Sequence, residues 1–82
     1  MAKILVADDE RLIRQLVCDF LNQAGHETLE AKNGAQALEL FRKNPDTELL
    51  ILDIMMPEVD GWEVTREVRK ASNVPIILLS AR

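Results

Sequence analysis

The chain has a single cysteine and a single histidine. Cys18 therefore cannot close an internal disulfide, which fits a reducing compartment. No Cys or His cluster of zinc-binding spacing exists, and His26 reads as an exposed turn or edge residue. Cys18 falls on an apolar helix face and reads as a buried thiol rather than a reactive one. Aromatic side chains are limited to Phe20, Phe41 and Trp62. Basic charge is also short. With 10 Lys and Arg against 14 Asp and Glu, the formal charge is -4, which leaves no basic footprint for direct nucleic-acid binding. No apolar run is long enough to span a bilayer and no secretory leader is recognisable, so the expected location is cytoplasmic. Linkers, low-complexity tracts and internal repeats are absent as well.

What is present is a small globular balance. The 82 residues are 48% hydrophobic and 29% charged, which argues for one ordered domain over residues 1–82. A chain this short buries only a little over ~60% of its unfolded surface, so its stability has little reserve. Lys3 to Ala7 is a short apolar strand stopped by Asp8-Asp9-Glu10. From Glu10 to Ala24, Leu12, Ile13, Leu16, Val17, Phe20 and Leu21 recur at steps of three and four. That spacing predicts one apolar helix face, with Arg11, Arg14, Asp19 and Asn22 turned elsewhere. Asp9 can cap the helix, and Gly25 stands where a left-handed C-terminal residue is wanted.

His26 to Ala31 is a weak, peripheral strand. Asn33-Gly34 opens a second helix with Ala37, Leu38, Leu40 and Phe41 on its apolar side, and Asn44-Pro45 ends it. Leu49 to Leu52 lacks the alternation of a half-solvated strand and reads as buried on both faces, as does Ile76 to Leu79. Between them, Asp60-Gly61 leads into a third helix carrying Trp62, Val64, Thr65, Val68 and Ala71. The alternation of strand and helix with short connections implies right-handed crossovers and a parallel sheet, hence an α/β fold.

Asp53 closes the central apolar strand, at the sheet edge where ligands gather in such folds. On the residues alone it reads equally as a turn-starter or as a reactive carboxylate. Asp8 and Asp9 end the first strand in the same way. An isolated Asp-Asp pair is more often a helix cap beside a solvated acid, but adjacent first and third strands would bring three carboxylates together. Their repulsion favours protonation or a divalent cation, and hard oxygen donors suit Mg²⁺. A carboxylate beside such a cation can attack phosphorus.

The segments ILVADDE, LLILDIMMPEVDGWE and VPIILLSAR, in this order and spacing, resemble the receiver domain of bacterial two-component response regulators, in particular those with a winged-helix DNA-binding output domain. The resemblance runs from Lys3 to Arg82. It implies a flavodoxin-like fold with helices on both faces of the sheet and Asp53 as phosphoacceptor from a histidine kinase. It also implies an Mg²⁺ site made by Asp9 and Asp53, by Asp8 mainly through water, and by the Met55 backbone carbonyl. Ser80 would be the switch hydroxyl, and Pro57 and Gly61 would shape the neighbouring loop. The implied role is that of a signalling module, not an enzyme beyond self-phosphorylation and dephosphorylation at Asp53.

Receiver domains have five strands in the order 2-1-3-4-5 and five helices. The pattern here carries four strands, order 2-1-3-4, and three helices, without the fifth strand and its Lys or the last two helices. Two expectations follow: impaired phosphoryl transfer, and a sticky fourth strand through which two chains form a homodimer with help from the neighbouring helices. A second reading therefore stays open, a shortened half-domain whose main property is self-association.

Overall fold

Strand β1, Lys3–Ala7, runs through the middle of the protein, and the connections are counted from it. In the computed structural model, which describes residues 1–79, the other elements are α1 (Arg11–Gln23), β2 (Glu27–Ala31), α2 (Gly34–Lys43), β3 (Leu49–Asp53), α3 (Gly61–Arg69) and β4 (Ile76–Leu79). The sheet order is β2-β1-β3-β4, with every pair parallel, as the sequence predicts. Parallel crossovers are right-handed. The chain steps outward from β1 to β2 and then back across β1 to β3, so successive crossovers must lie on opposite faces. Accordingly α1 covers one face with Cys18 against Ile4, Val6 and Ile51. Helices α2 and α3 cover the other, where Ala37, Val64 and Val68 pack on Leu5, Leu50 and Leu52. The reversal of direction falls between β1 and β3, and a crevice opens there at the carboxyl edge.

The helix ends follow local chemistry. At the end of α1, Gly25 adopts φ 92°. Its N–H donates to the Asn22 carbonyl, and the His26 N–H donates to the Leu21 carbonyl, both at 3.0 Å. These paired bonds satisfy carbonyls that the helix leaves open. Asn33 caps α2 by accepting from the Gln36 N–H at 2.7 Å. Asp60 caps α3 by accepting from the Glu63 N–H at 2.9 Å.

Three expectations are corrected. Asp9 does not cap α1: the N-cap is Glu10, which makes no side-chain cap bond, and Asp8 Oδ1 instead accepts the Glu10 N–H at 2.9 Å. The inward row of α1 is Arg14, Val17, Cys18 and Leu21, of which only Cys18 is fully buried, rather than the whole apolar set, and Leu12, Leu16 and Phe20 remain 76%, 69% and 71% exposed. The helix has more apolar positions than the sheet beneath it covers, so periodicity alone selects too wide a face. The apolar pattern of β4 reads as buried on both sides, yet β4 is the edge strand among the described residues, as the expected order 2-1-3-4 implies. Ile77 on its α1 side is half exposed, because no described element covers it.

Cys18 is buried as expected, and burial is the main cause that pushes its thiol pKa up, partly offset by a hydrogen bond with Thr28. A group whose pKa is raised by folding favours the native state below its unfolded value and loses that contribution as pH climbs past it. In the native chain Cys18 is therefore expected to react slowly with a thiol reagent at neutral pH and rapidly in urea. Fast labelling of the folded chain would contradict its placement between α1 and the sheet.

Candidate functional site

The β1–β3 register sets Ala7 beside Leu52, so the next residue on each strand, Asp8 and Asp53, emerges at the same edge. Side-chain oxygens of Asp8, Asp9 and Asp53 all lie within 4.8 Å of one another. Asp8 and Asp53 are buried, whereas Asp9 is exposed. The structure thus brings together the three acids singled out in the sequence. Two carboxylates at this separation repel by roughly 3 to 4 kcal/mol at an effective dielectric constant near 20. Solvent screens the exposed Asp9 more than the buried pair, and the repulsion among the three favours a cation between them. The donors are all hard oxygens, partly buried and partly open, and they fit Mg²⁺, which binds one or two carboxylates and keeps several waters.

Each acid is held by backbone geometry. The Asp8 N–H donates to the Ala31 carbonyl at 3.1 Å, continuing the β1–β2 pairing by one residue. Its own carbonyl accepts from Arg14 Nη1 at 2.7 Å, while Arg14 Nε donates to Glu30 Oε1 at 3.1 Å. Arg14 therefore ties the end of β1 to β2. Sequence reasoning placed this residue away from the sheet, yet its spacing from Val17, Cys18 and Leu21 was the available signal. Asp53 Oδ1 accepts the Met55 N–H at 3.2 Å, and the Ile54 N–H donates to the Leu79 carbonyl at 3.3 Å. Met55 has an exposed side chain, and Met56 is buried beneath the loop. Ser80 lies outside the described residues.

The loop from Ile54 to Asp60 is tight. Glu58 has φ 68°, a left-handed conformation that costs a residue with a Cβ about 1–2 kcal/mol. The Gly61 N–H closes the loop onto the Ile54 carbonyl at 3.1 Å. Gly61 is needed for space rather than for backbone freedom. A Cβ there would stand 2.7 Å from the Asp53 carbonyl oxygen and 2.9 Å from the Ile54 Cα.

At the opposite edge of the sheet the acids are arranged differently. Lys3 Nζ lies 3.1 Å from Asp46 Oδ2, and its hydrogen bond is the main cause that holds the Asp46 carboxyl below its ordinary pKa. A cavity of about 420 Å³ between the C-terminal ends of α2 and α3 is lined mainly by apolar groups, including Leu38, Phe41 and Val68, and holds no carboxylate cluster.

A buried acid at the end of β3, two more at the end of β1 and this sheet order define a class, and comparison with known proteins names it. The family described as response regulator receiver domain matches residues 4–82. The chain belongs to that family, whose members are phosphoacceptor modules of two-component signal transduction rather than enzymes of the ordinary kind. "Probable transcriptional regulator ycf27" of Porphyra purpurea is 49% identical over 79 residues, which cover 96% of this chain and 32% of that protein. "Response regulator RR06" of Streptococcus pneumoniae is 44% identical over 78 residues, covering 95% and 36%. The chain thus spans about a third of the length of the curated relatives it matches. Among solved structures, chemotaxis response regulator CheY4 of Vibrio cholerae superimposes with a TM-score of 0.94 at 36% identity, over 100% of this chain and 70% of that one. Response regulator protein TrrA of Thermotoga maritima, in complex with Mg(2+)-BeF, gives 0.91 at 44% identity, over 100% and 71%.

Gly61→Ala is expected to lower stability by ~1–3 kcal/mol, the usual cost of forcing a methyl into a packed site. Urea denaturation checks this. An unchanged midpoint would mean that the loop yields freely at Asp53.

Proposed function

We propose that Asp53 is the phosphoacceptor of this receiver domain, taking a phosphoryl group from a histidine kinase in the cytoplasm. The observation that carries the reading is the convergence of Asp8, Asp9 and Asp53 at one sheet edge. Asp53 ends a strand enclosed on both faces, so its carboxylate is presented from a rigid base. The contact between Asp53 Oδ1 and the Met55 N–H orients the carboxylate. In the transfer, an Asp53 oxygen forms a bond to phosphorus while the donor's bond to phosphorus breaks and the donor departs with that electron pair. Asp9 and Asp53 would hold Mg²⁺ directly and Asp8 mainly through water, and the Met55 carbonyl would supply a further oxygen. A cation held there would supply positive charge against the phosphoryl oxygens. Ser80 carries the switch role through the family resemblance.

The test is an intact-mass measurement after incubation with Mg²⁺ and a small phosphodonor. One phosphoryl adduct is expected, lost in Asp53→Asn and lost when Mg²⁺ is chelated. An adduct that survives in Asp53→Asn would place the acceptor elsewhere.

Self-association is a second property that the surface supports. Leu12, Leu16 and Phe20 form an exposed ridge along α1, and Ile77 is exposed on the same side of β4. An apolar patch of this kind marks contact surfaces. We infer that two copies of this chain pair through β4 and this helix face. Sedimentation at micromolar concentration is expected to show a dimer that Leu16→Glu dissociates. A stable wild-type monomer would contradict the pairing.

A further inference from the structure

The β3–α3 loop, which bears Met55 and begins at Asp53, is braced from outside by the first turn of α2. Gly34, the first residue of α2, is buried. A Cβ placed on it would run into the Val59 carbonyl oxygen, and it would stand 2.8 Å from the Val59 Cβ and 2.9 Å from the Val59 carbonyl carbon. Two of these three atoms are main chain, so they cannot swing aside as the tip of a long side chain would. The helix cannot easily yield either. Its start is fixed by the Asn33 cap, and Ala37, one turn on, is fully buried in the core.

The loop transmits what happens at Val59 because little of it is free. The Val59 N–H donates to the Pro57 carbonyl at 2.8 Å, and the Met56 N–H donates to the Ile54 carbonyl at 3.1 Å. Met56 is buried in the core and Val59 packs against that same cluster. At its far end, Asp60 is engaged in capping α3. A push at Val59 therefore travels back along the loop toward Met55, whose N–H orients Asp53.

We propose that Gly34 is a positioning residue for the carboxylate site: its missing side chain lets α2 abut Val59 and so sets the loop that places Asp53 and the Met55 carbonyl for Mg²⁺. This rests on the Mg²⁺ site proposed above. Groups that orient metal ligands from outside the ligand set are worth roughly 10- to 100-fold in metal affinity.

The experiment is calorimetric titration of Mg²⁺ into four versions of the 82-residue chain, with the metal-free Tm of each recorded. Gly34→Ala is expected to weaken Mg²⁺ binding by at least about tenfold. Val59→Ala, which trims the loop side of the contact and removes no glycine, is expected to weaken it several-fold and carries the test should Gly34→Ala fail to fold. Gly25→Ala makes the same chemical change at a residue held at φ 92°, with no atom within 4 Å of the added methyl. It is expected to lower Tm while leaving Mg²⁺ affinity at the wild-type value. A purely structural role for Gly34 would give lower Tm with unchanged Mg²⁺ affinity in both Gly34→Ala and Val59→Ala, and that result overturns the proposal. Wild-type chain that takes up no Mg²⁺ overturns the metal site and this role together, whereas wild-type binding with unaffected variants overturns this role alone.

Discussion

The parallel pairing of β1 with β3 is the constraint on which the rest depends. Its register places Ala7 against Leu52, and the carboxylates that follow are neighbours for that reason alone. A slip of one residue would exchange the two faces of β3, taking Leu50 and Leu52 away from α2 and α3 and Asp53 away from Asp8. The same apolar side chains that specify the register for packing therefore specify it for the site. Repulsion among the acids opposes the pairing, and burial of Leu5, Leu50 and Leu52 favours it by ~1.5–3 kcal/mol for each side chain.

From that pairing the remaining parts follow in order. Right-handed crossovers and a reversal at β1 put α1 on one face and α2 with α3 on the other, and the crevice opens over the reversal. Arg14 binds the Asp8 carbonyl to the β2 side, so the end of β1 is fixed from α1. The end of β3 is fixed from the other face, where Gly61 and Gly34 allow α3 and α2 to press on the loop. Both ends of the acidic site are thus held by contacts made at main-chain atoms. Such contacts suit a site whose geometry must not relax when charge is added to it.

Much of this was legible in the sequence. Apolar runs closed by acids marked the ends of β1 and β3 and the likeness of Asp8, Asp9 and Asp53, and Asn33 and Asp60 before apolar periods marked helix starts. Less legible were features that depend on what covers what. The apolar residues of α1 outnumber the positions that the sheet can cover, so Leu12, Leu16 and Phe20 could not be told from Val17, Cys18 and Leu21 by spacing. Arg14 was hidden by its charge, since a guanidinium in the inward row makes sense only when Asp8 and Glu30 are seen beside it. The roles of Asp8 and Asp9 at the start of α1 were exchanged because either side chain can reach an open N–H, and only the backbone path decides. Gly61 and Gly34 looked like turn residues, and their shared reason, space against another segment's main chain, is a tertiary fact with no local signature.

The central claim, one cation site shared by the ends of β1 and β3, is tested most directly by adding Mn²⁺ in place of Mg²⁺ to the isotopically labelled chain and following paramagnetic broadening of amide signals. The account predicts broadening centred on Asp8, Asp9 and the residues from Asp53 to Met55, reversed by excess Mg²⁺. Broadening centred instead on Glu27, Asp46 and Glu48 at the other edge of the sheet, with the Asp53 region unaffected, would contradict it.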